Sequence, residues 1–385
     1  MTYQLRDYQQ KASDAAVNFF NNKAKKNNAI MVLPTGAGKS LVIADIASRL
    51  EGHTLVFQPS KEILEQNYLK LCSYGILDCS VYSASFGRKD ISRITFATIG
   101  SVKNHPELFQ HFRNIIIDEC HLVNPKEGMY KDFLTMLQCK VLGLTATPYR
   151  LSSSRDFGSM LKFITRTRPC VFSEVIYQVQ ISTLLDMGYL SKLNYYAMNP
   201  LGWNELNLKV NTTGADYTDK SVVKEYERID FYGFLVSIVR RLMNPKVGGK
   251  RKGILVFTRF LKEAQRLTQS IPGTAIVSGD TPKKERERIL EEFKAGEIPV
   301  VANVGVLTTG FDYPELDTIV MARPTMSLAL WYQIVGRAIR PHPTKEAGWI
   351  VDLCGNIKRF GEVKDLRLVN GGNGKWAVFS NNRQL

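Results

Sequence analysis

The sequence lacks every paired-cysteine signature. Its six cysteines, Cys72, Cys79, Cys120, Cys139, Cys170 and Cys354, are scattered, and no Cys-x-x-Cys occurs. That argues against a zinc site and against a disulfide framework, and leaves free thiols in a reducing compartment as the expectation. No run of about 18 apolar residues exists, so no membrane-spanning helix is expected. The opening Met1-Thr2-Tyr3-Gln4-Leu5-Arg6 has no apolar signal-peptide core, and a cytoplasmic protein follows as the expectation. Negative charge is also in short supply, with 36 Asp+Glu against 51 Lys+Arg and a formal net charge of +15. A polyanionic partner is implied, nucleic acid first.

What is present reads as a soluble α/β protein. The chain has 385 residues, 44% hydrophobic and 23% charged, enough for two cores. Short apolar runs at Ala29–Leu33, Thr54–Phe57, Ile94–Thr98, Asn114–Ile117 and Val141–Leu144 read as buried strands. Helical patterns such as Ser40–Leu50 and Lys61–Tyr74 lie between them. The alternation then restarts, with strands at Gly253–Phe257, Thr274–Val277, Pro299–Asn303, Thr318–Ala322 and Gly348–Asp352 and helices at Phe260–Gln269 and Pro282–Ala295. Such alternation implies parallel sheets covered by helices. The expected division is a first lobe at 1–175, a connector at 176–222, a second lobe at 223–369 and a flexible Gly/Asn-rich tail at 370–385.

Pro34-Thr35-Gly36-Ala37-Gly38-Lys39-Ser40 follows a strand and opens a helix, the context a phosphate loop needs. The glycines let backbone N–H groups turn toward phosphate oxygens, and the helix N-terminus adds positive potential. Lys39 is placed to reach the β/γ-phosphates of ATP and Ser40 to ligate Mg²⁺. The broad pattern asks for a further glycine where Leu33 stands. Asp118-Glu119-Cys120-His121 closes the apolar run Asn114–Ile117. An acidic pair at the carboxyl end of a buried strand suits Mg²⁺ held partly through water by Asp118, and an attacking water polarised by Glu119.

Asp-Glu-Cys-His is a DExH box, and other blocks follow it in order. Gly143-Leu144-Thr145-Ala146-Thr147-Pro148 resembles helicase motif III. Leu307-Thr308-Thr309-Gly310-Phe311-Asp312 resembles motif V, and Gln333-Ile334-Val335-Gly336-Arg337-Ala338-Ile339-Arg340 resembles motif VI. The chain therefore resembles the superfamily 2 helicases over nearly its whole length. Within them it is most similar to the bacterial RadD DNA-repair helicases, through Leu5-Arg6-x-Tyr8-Gln9-Gln10, the Leu33–Ala44 block and Ser278-Gly-Asp-Thr-Pro282. Their cysteine-rich zinc segment beyond motif VI does not occur here.

The resemblance implies two tandem RecA-like lobes, each a parallel sheet flanked by helices, with the ATP site in the cleft between them. It implies that Arg6 and Gln9 read the adenine and that Pro34–Ser40, Gly310 and Asp312 line the nucleotide. Arg337 and Arg340 become arginine fingers. His121, Thr145, Thr147 and Gln333 become the link from ATP to nucleic acid. Pro59, Ser60, Lys61, Thr98, Ser101, Thr258, Arg259, Thr308 and Thr309 become backbone-gripping contacts, which predicts sequence-tolerant, salt-dependent binding by a monomer. DNA is favoured over RNA. An RNA-dependent ATPase, and a DNA translocase or sensor that separates no strands, stay open. Tyr195, Tyr196, Trp203 and Tyr217 in the connector could stack on bases, although ordinary packing is the favoured reading.

Overall fold

The computed structural model describes residues 3–24, 26–137, 139–154, 158–198, 206–246, 251, 253–307 and 313–385. Its chain divides into two compact units. The first comprises Met1–Arg150, Lys162–Gln180 and Leu368–Ala377, and the second Leu151–Leu161, Ile181–Arg367 and Val378–Leu385.

The strands of the first part of the chain are β1 (Ala29–Val32), β2 (Thr54–Phe57), β3 (Cys79–Ser83), β4 (Arg88–Lys89), β5 (Ile94–Ala97), β6 (Asn114–Asp118), β7 (Lys140–Thr145), β8 (Tyr149–Ser154), β9 (Gly158–Phe163) and β10 (Glu174–Gln178). Eight of them form one sheet in the order β10-β1-β7-β6-β2-β5-β3-β4. Its pairs are parallel except the β3–β4 edge. The helices are α1 (Asp7–Asn21), α2 (Lys39–Arg49), α3 (Lys61–Ser73), α4 (Ile99–Val102) and α5 (Met129–Met136). The central strands are buried along their whole length, as a parallel sheet covered on both faces demands. One face packs Ile30, Val32, Leu55, Phe57, Ile115 and Ile117 against Phe109, Phe112 and Phe133. Parallel strands send all their carboxyl ends to one edge, so the loops after β1, β2, β5, β6 and β7 share it.

In the second unit the strands are β11 (Lys192–Ala197), β12 (Ile254–Thr258), β13 (Thr274–Ser278), β14 (Val300–Val304), β15 (Thr318–Ala322) and β16 (Ala347–Asp352). They form an all-parallel sheet in the order β11-β16-β15-β12-β14-β13. Its helices are α6 (Ile181–Asp186), α7 (Asp219–Arg228), α8 (Phe231–Met243), α9 (Leu261–Ser270), α10 (Lys283–Ala295), α11 (Leu328–Val335) and α12 (Asn356–Phe360). Val256, Ala302, Val320 and Val351 of the sheet pack against Tyr226, Phe231, Val239 and Leu267.

Two stretches differ from their expected character. The segment expected to be a connector contains β11, which pairs with β16 over its full length, from Lys192↔Ala347 to Ala197↔Asp352. Tyr196 stacks on Trp349 at 4.7 Å, and Tyr195 Oη accepts from Val363 N at 3.1 Å, so both tyrosines are packing residues of the second unit. Trp203 lies outside the described residues. The segment expected to be a flexible tail carries a strand, Trp376–Ser380. Trp376 stacks on Phe163 at 5.4 Å, and its neighbouring segment is held where the Gln180 amide exchanges two hydrogen bonds with Leu368. Large aromatic burial and a paired amide outweigh the local glycine content.

Candidate functional site

The phosphate loop leaves β1 with its ladder still continuing, since Leu33 N donates to Thr145 O at 3.1 Å. It then turns through Gly36 and Gly38, whose φ values of 83° and 75° lie in the left-handed region. Gly38 is the residue before α2, and Lys39 and Ser40 open the helix, both half-buried. Glycine suits this φ, and a Cβ at Gly38 would stand 2.5 Å from Gln9 Nε2, so a larger residue would have to displace that amide.

Gln9 is fastened to this loop. Its Nε2 donates to Ala37 O at 2.9 Å and its Oε1 accepts from Arg6 N at 3.0 Å. Tyr8 Oη donates to the same Ala37 carbonyl at 2.8 Å. The start of α1, with Arg6 just before it, thus fixes the loop from behind. Sequence reasoning assigned Gln9 and missed Tyr8; their adjacency in Tyr8-Gln9 was the available signal.

The acidic pair closes β6, two strands from β1 with β7 between them. Glu119 has φ 49°, left-handed for a residue with a side chain, which turns its carboxylate back toward the loop. Lys39 Nζ lies 3.5 Å from Glu119 Oε1, and His121 Nδ1 lies 3.3 Å from Glu119 Oε2. His121 Nδ1 is also 2.9 Å from Thr145 Oγ1, and that hydroxyl accepts from Thr147 N at 3.0 Å. Thr145 and Thr147 are both fully buried. Behind them, Arg150 Nε and Nη2 donate to His121 O at 2.9 and 2.5 Å and Nη2 reaches Val123 O. Arg150 was not singled out in the sequence, although it stands two residues beyond the Thr-Ala-Thr-Pro block.

The two carboxyls are driven in opposite directions. Burial pushes Asp118 up, to about 7, and the adjacent Glu119 charge adds to the push. Burial pushes Glu119 up as well, but Lys39 and His121 outweigh it and hold the group well below the ordinary carboxylate range. Asp118 is therefore a buried carboxyl within the electrostatic reach of Lys39, the residue that opens α2 before Ser40. That donor set fits a divalent cation shared with phosphate oxygens, a coordination that draws few ligands from the protein. No group of three or more His, Cys, Asp or Glu able to hold a metal exists among the described residues.

The assigned gripping residues of the first unit lie on the same strand-end edge. Ser60 caps α3, its Oγ accepting from Ile63 N at 3.3 Å. Pro59 precedes it, and Lys61 donates to Ser85 O over the Phe86 ring. Thr98 and Ser101 share a hydroxyl contact of 2.9 Å, and Ser101 Oγ accepts from Ala84 N at 3.1 Å. These groups are half-buried and order one another.

In the second unit, Thr258 is buried and donates to Asn303 O at 3.3 Å, tying β12 to β14. Arg259 is held by Asp216 Oδ2 at 3.0 Å, Asp219 Oδ1 at 2.8 Å and Tyr217 O at 2.7 Å, with 11% of its side chain exposed. Asn303 Oδ1 accepts from Val306 N and Leu307 N at 3.3 and 3.0 Å, shaping the approach to the next block. Thr308, Thr309, Gly310 and Asp312 lie outside the described residues. Gln333 lies on α11, and Arg337 and Arg340 lie on the turn after it. Arg337 is 8% exposed, and burial pushes the Arg340 guanidinium below its ordinary value.

Fold and site together define a phosphate-loop α/β protein with a strand-end acidic pair. The family described as "Type III restriction enzyme, res subunit" matches residues 2–150, within the first unit, and the "Helicase conserved C-terminal domain" matches residues 236–342, within the second. Together the two matches support a superfamily 2 helicase. It is 24% identical over 322 residues to the "51.5 kDa protein" of a Lactococcus phage, covering 82% of this chain and 63% of that one. It is 26% identical over 369 residues to the "DNA 3'-5' translocase XPB2" of Sulfurisphaera tokodaii, covering 88% and 79%. Among solved structures, the "ATP-dependent Type ISP restriction-modification enzyme LlaBIII bound to DNA" aligns with a TM-score of 0.66 at 18% identity, over 91% of this chain and 28% of that one. The chain spans about half to two thirds of the length of several curated relatives it matches. No helix among the described residues is long and apolar enough to cross a membrane.

Proposed function

We propose that the chain is an ATP-driven nucleic-acid motor, a helicase or translocase, and that its substrate is DNA. The observation that carries this reading is the run of contacts from Lys39 to Glu119, His121 and Thr145. It joins the phosphate loop to the acidic pair and the acidic pair to the Thr-Ala-Thr strand end. A change at the nucleotide has a short path through these side chains.

Bound ATP·Mg²⁺ supplies the phosphoanhydride bond and the divalent charge that offsets its oxygens. Lys39 and the loop N–H groups would hold phosphate, and Ser40 and Asp118 would hold the cation. Glu119 is kept ionised, so it orients water by accepting its hydrogen bond. Release of Lys39 from Glu119 removes a charge that depresses the carboxylate's basicity, which favours proton acceptance. Arg337 and Arg340 are assigned to the developing phosphate charge, a role that permanently charged, fork-shaped side chains suit. The hydroxyls and N–H groups at Pro59–Lys61 and Thr98–Ser101 are assigned to the nucleic-acid backbone.

The DNA assignment and the nearness to RadD-like repair helicases rest on the motif blocks, and the relative named as a DNA translocase supports the former. The test is ATP turnover with no nucleic acid, single-stranded DNA, forked DNA and matched RNA, beside Glu119→Gln. Strong stimulation by DNA, greatest with forks, is expected. Stimulation by RNA alone would overturn the DNA assignment, and rates equal to Glu119→Gln under all conditions would overturn the motor. Affinity for DNA should fall steeply with salt.

A further inference from the structure

Lys345 is a buried lysine that faces main-chain oxygens. It is 8% exposed. Its ammonium donates to Pro314 O at 2.7 Å, Ala338 O at 3.1 Å and Leu316 O at 3.2 Å. Three donors meet three carbonyls, which satisfies the ammonium. Burial pushes its pKa down, to about 8, opposed by Asp317 and assisted by Arg340.

The three carbonyls belong to two different segments. Pro314 and Leu316 follow directly on the Gly310–Asp312 block. Ala338 lies between Arg337 and Arg340. The next two carbonyls of that turn are also taken, since Ser191 N donates to Ile339 O at 2.8 Å and Ser191 Oγ to Arg340 O at 3.0 Å. On the far side, a Cβ at Gly348 would approach Ala338 O to 2.6 Å, so β16 presses directly on the same carbonyl. The backbone from which both arginines project is thus pinned at successive residues, and Lys345 ties it to Pro314 and Leu316.

We propose that Lys345 is a positioning residue for ATP hydrolysis, setting the arginine-bearing turn Arg337–Arg340 against the segment that leaves Gly310–Asp312. The proposal rests on the reading of Arg337 and Arg340 as phosphate-facing groups. A methionine at this position fills the same volume without any donor, whereas arginine keeps a permanent charge and several donors.

The experiment uses the full chain with Lys345→Met, Lys345→Arg, Arg337→Ala and the Lys345→Met/Arg337→Ala pair, each checked by a thermal melt. DNA-stimulated kcat and the KM for ATP are measured. Lys345→Met should lower kcat by about tenfold or more and move KM by no more than about threefold, because the loss falls on the transition state. Lys345→Arg should recover most of the rate. The double variant should be no slower than Arg337→Ala alone, since both act through one unit. Wild-type kcat in Lys345→Met, or losses that multiply in the double variant, would overturn the proposal while leaving the arginine reading intact. Arg337→Ala at wild-type kcat would instead overturn that reading. If Lys345→Met does not fold, Lys345→Gln, which keeps two N–H donors, decides by the same kcat-against-KM split.

Discussion

The Lys39 ammonium stands 3.5 Å from the Glu119 carboxylate, so two groups assigned to opposite ends of the phosphate chemistry are partners within the chain. Lys39, together with His121, keeps Glu119 charged in a site where burial favours neutrality. Replacing Glu119 by glutamine removes the carboxylate and releases Lys39. The expected outcome is a kcat lower by about 10²–10⁴-fold with ATP affinity unchanged or tighter. Single-turnover rates beside a fluorescent-nucleotide titration check both halves. Weakened binding with normal turnover would remove Glu119 from the water-orienting role.

Thr145 carries two contacts on one hydroxyl. Thr145→Val removes the oxygen shared with His121 and strips the buried Thr147 N–H of its acceptor. An unpaired buried donor costs about 1–3 kcal/mol. The ratio of DNA-stimulated to basal ATP turnover should fall by about tenfold, because the path from the acidic pair is cut. Measuring that ratio in one preparation separates lost coupling from lost protein; an unchanged ratio would take Thr145 out of the path.

Arg259 is engaged by Asp216, Asp219 and the Tyr217 carbonyl. We expect Arg259→Ala to lower the melting temperature of the second unit, since half-buried Asp216 loses its nearest cation. The slope of log affinity for DNA against log salt should stay within experimental error. A true phosphate contact would reduce that slope by about one, so a salt titration of both proteins decides between the two roles.

Glu263 sets a pH dependence. It is fully buried, its Oε2 accepts from Phe260 N at 3.1 Å, and burial pushes its pKa up from 4.5 to about 7 despite nearby N–H groups and Arg259. A folded pKa above the unfolded one means stability that is complete below about 4.5 and is lost as pH rises through about 7. The loss is on the order of 3 kcal/mol at about 1.4 per unit. Glu263→Gln is neutral throughout and should lack this term. Melts of both proteins at pH 5 and pH 8 should therefore diverge at the higher pH, with the wild type falling further. Parallel behaviour would mean the carboxyl ionises freely.

The parts that were legible in the sequence are those written locally. Pro34–Ser40 needs only its own glycines and the strand before it, and Asp118-Glu119 needs only the end of an apolar run. The five strands expected in each half all appear, because parallel strands buried on both faces are continuous apolar stretches. Gln9 and Ala37 were both singled out, but the hydrogen bond between them was not, since nothing in either segment announces the other. Arg259 illustrates the reverse problem. An arginine after a strand reads as a phosphate contact until Asp216, more than 40 residues earlier in the chain, is found beside it.

The sequence by itself determined the order of the blocks, the doubled strand–helix alternation and the chemistry each loop offers. Those depend on residues within a few positions of one another, where periodicity and turn geometry act directly. Only the tertiary structure decided that 192–197 joins the second sheet beside β16, that Trp376 packs on Phe163, and that Lys345 binds the carbonyls of Pro314 and Leu316 together with that of Ala338 within the arginine turn. Each of these is a pairing between segments distant along the chain or a hydrogen bond to main-chain oxygen. Backbone carbonyls are the same at every residue, so no side-chain pattern can mark in advance which of them a buried ammonium will meet.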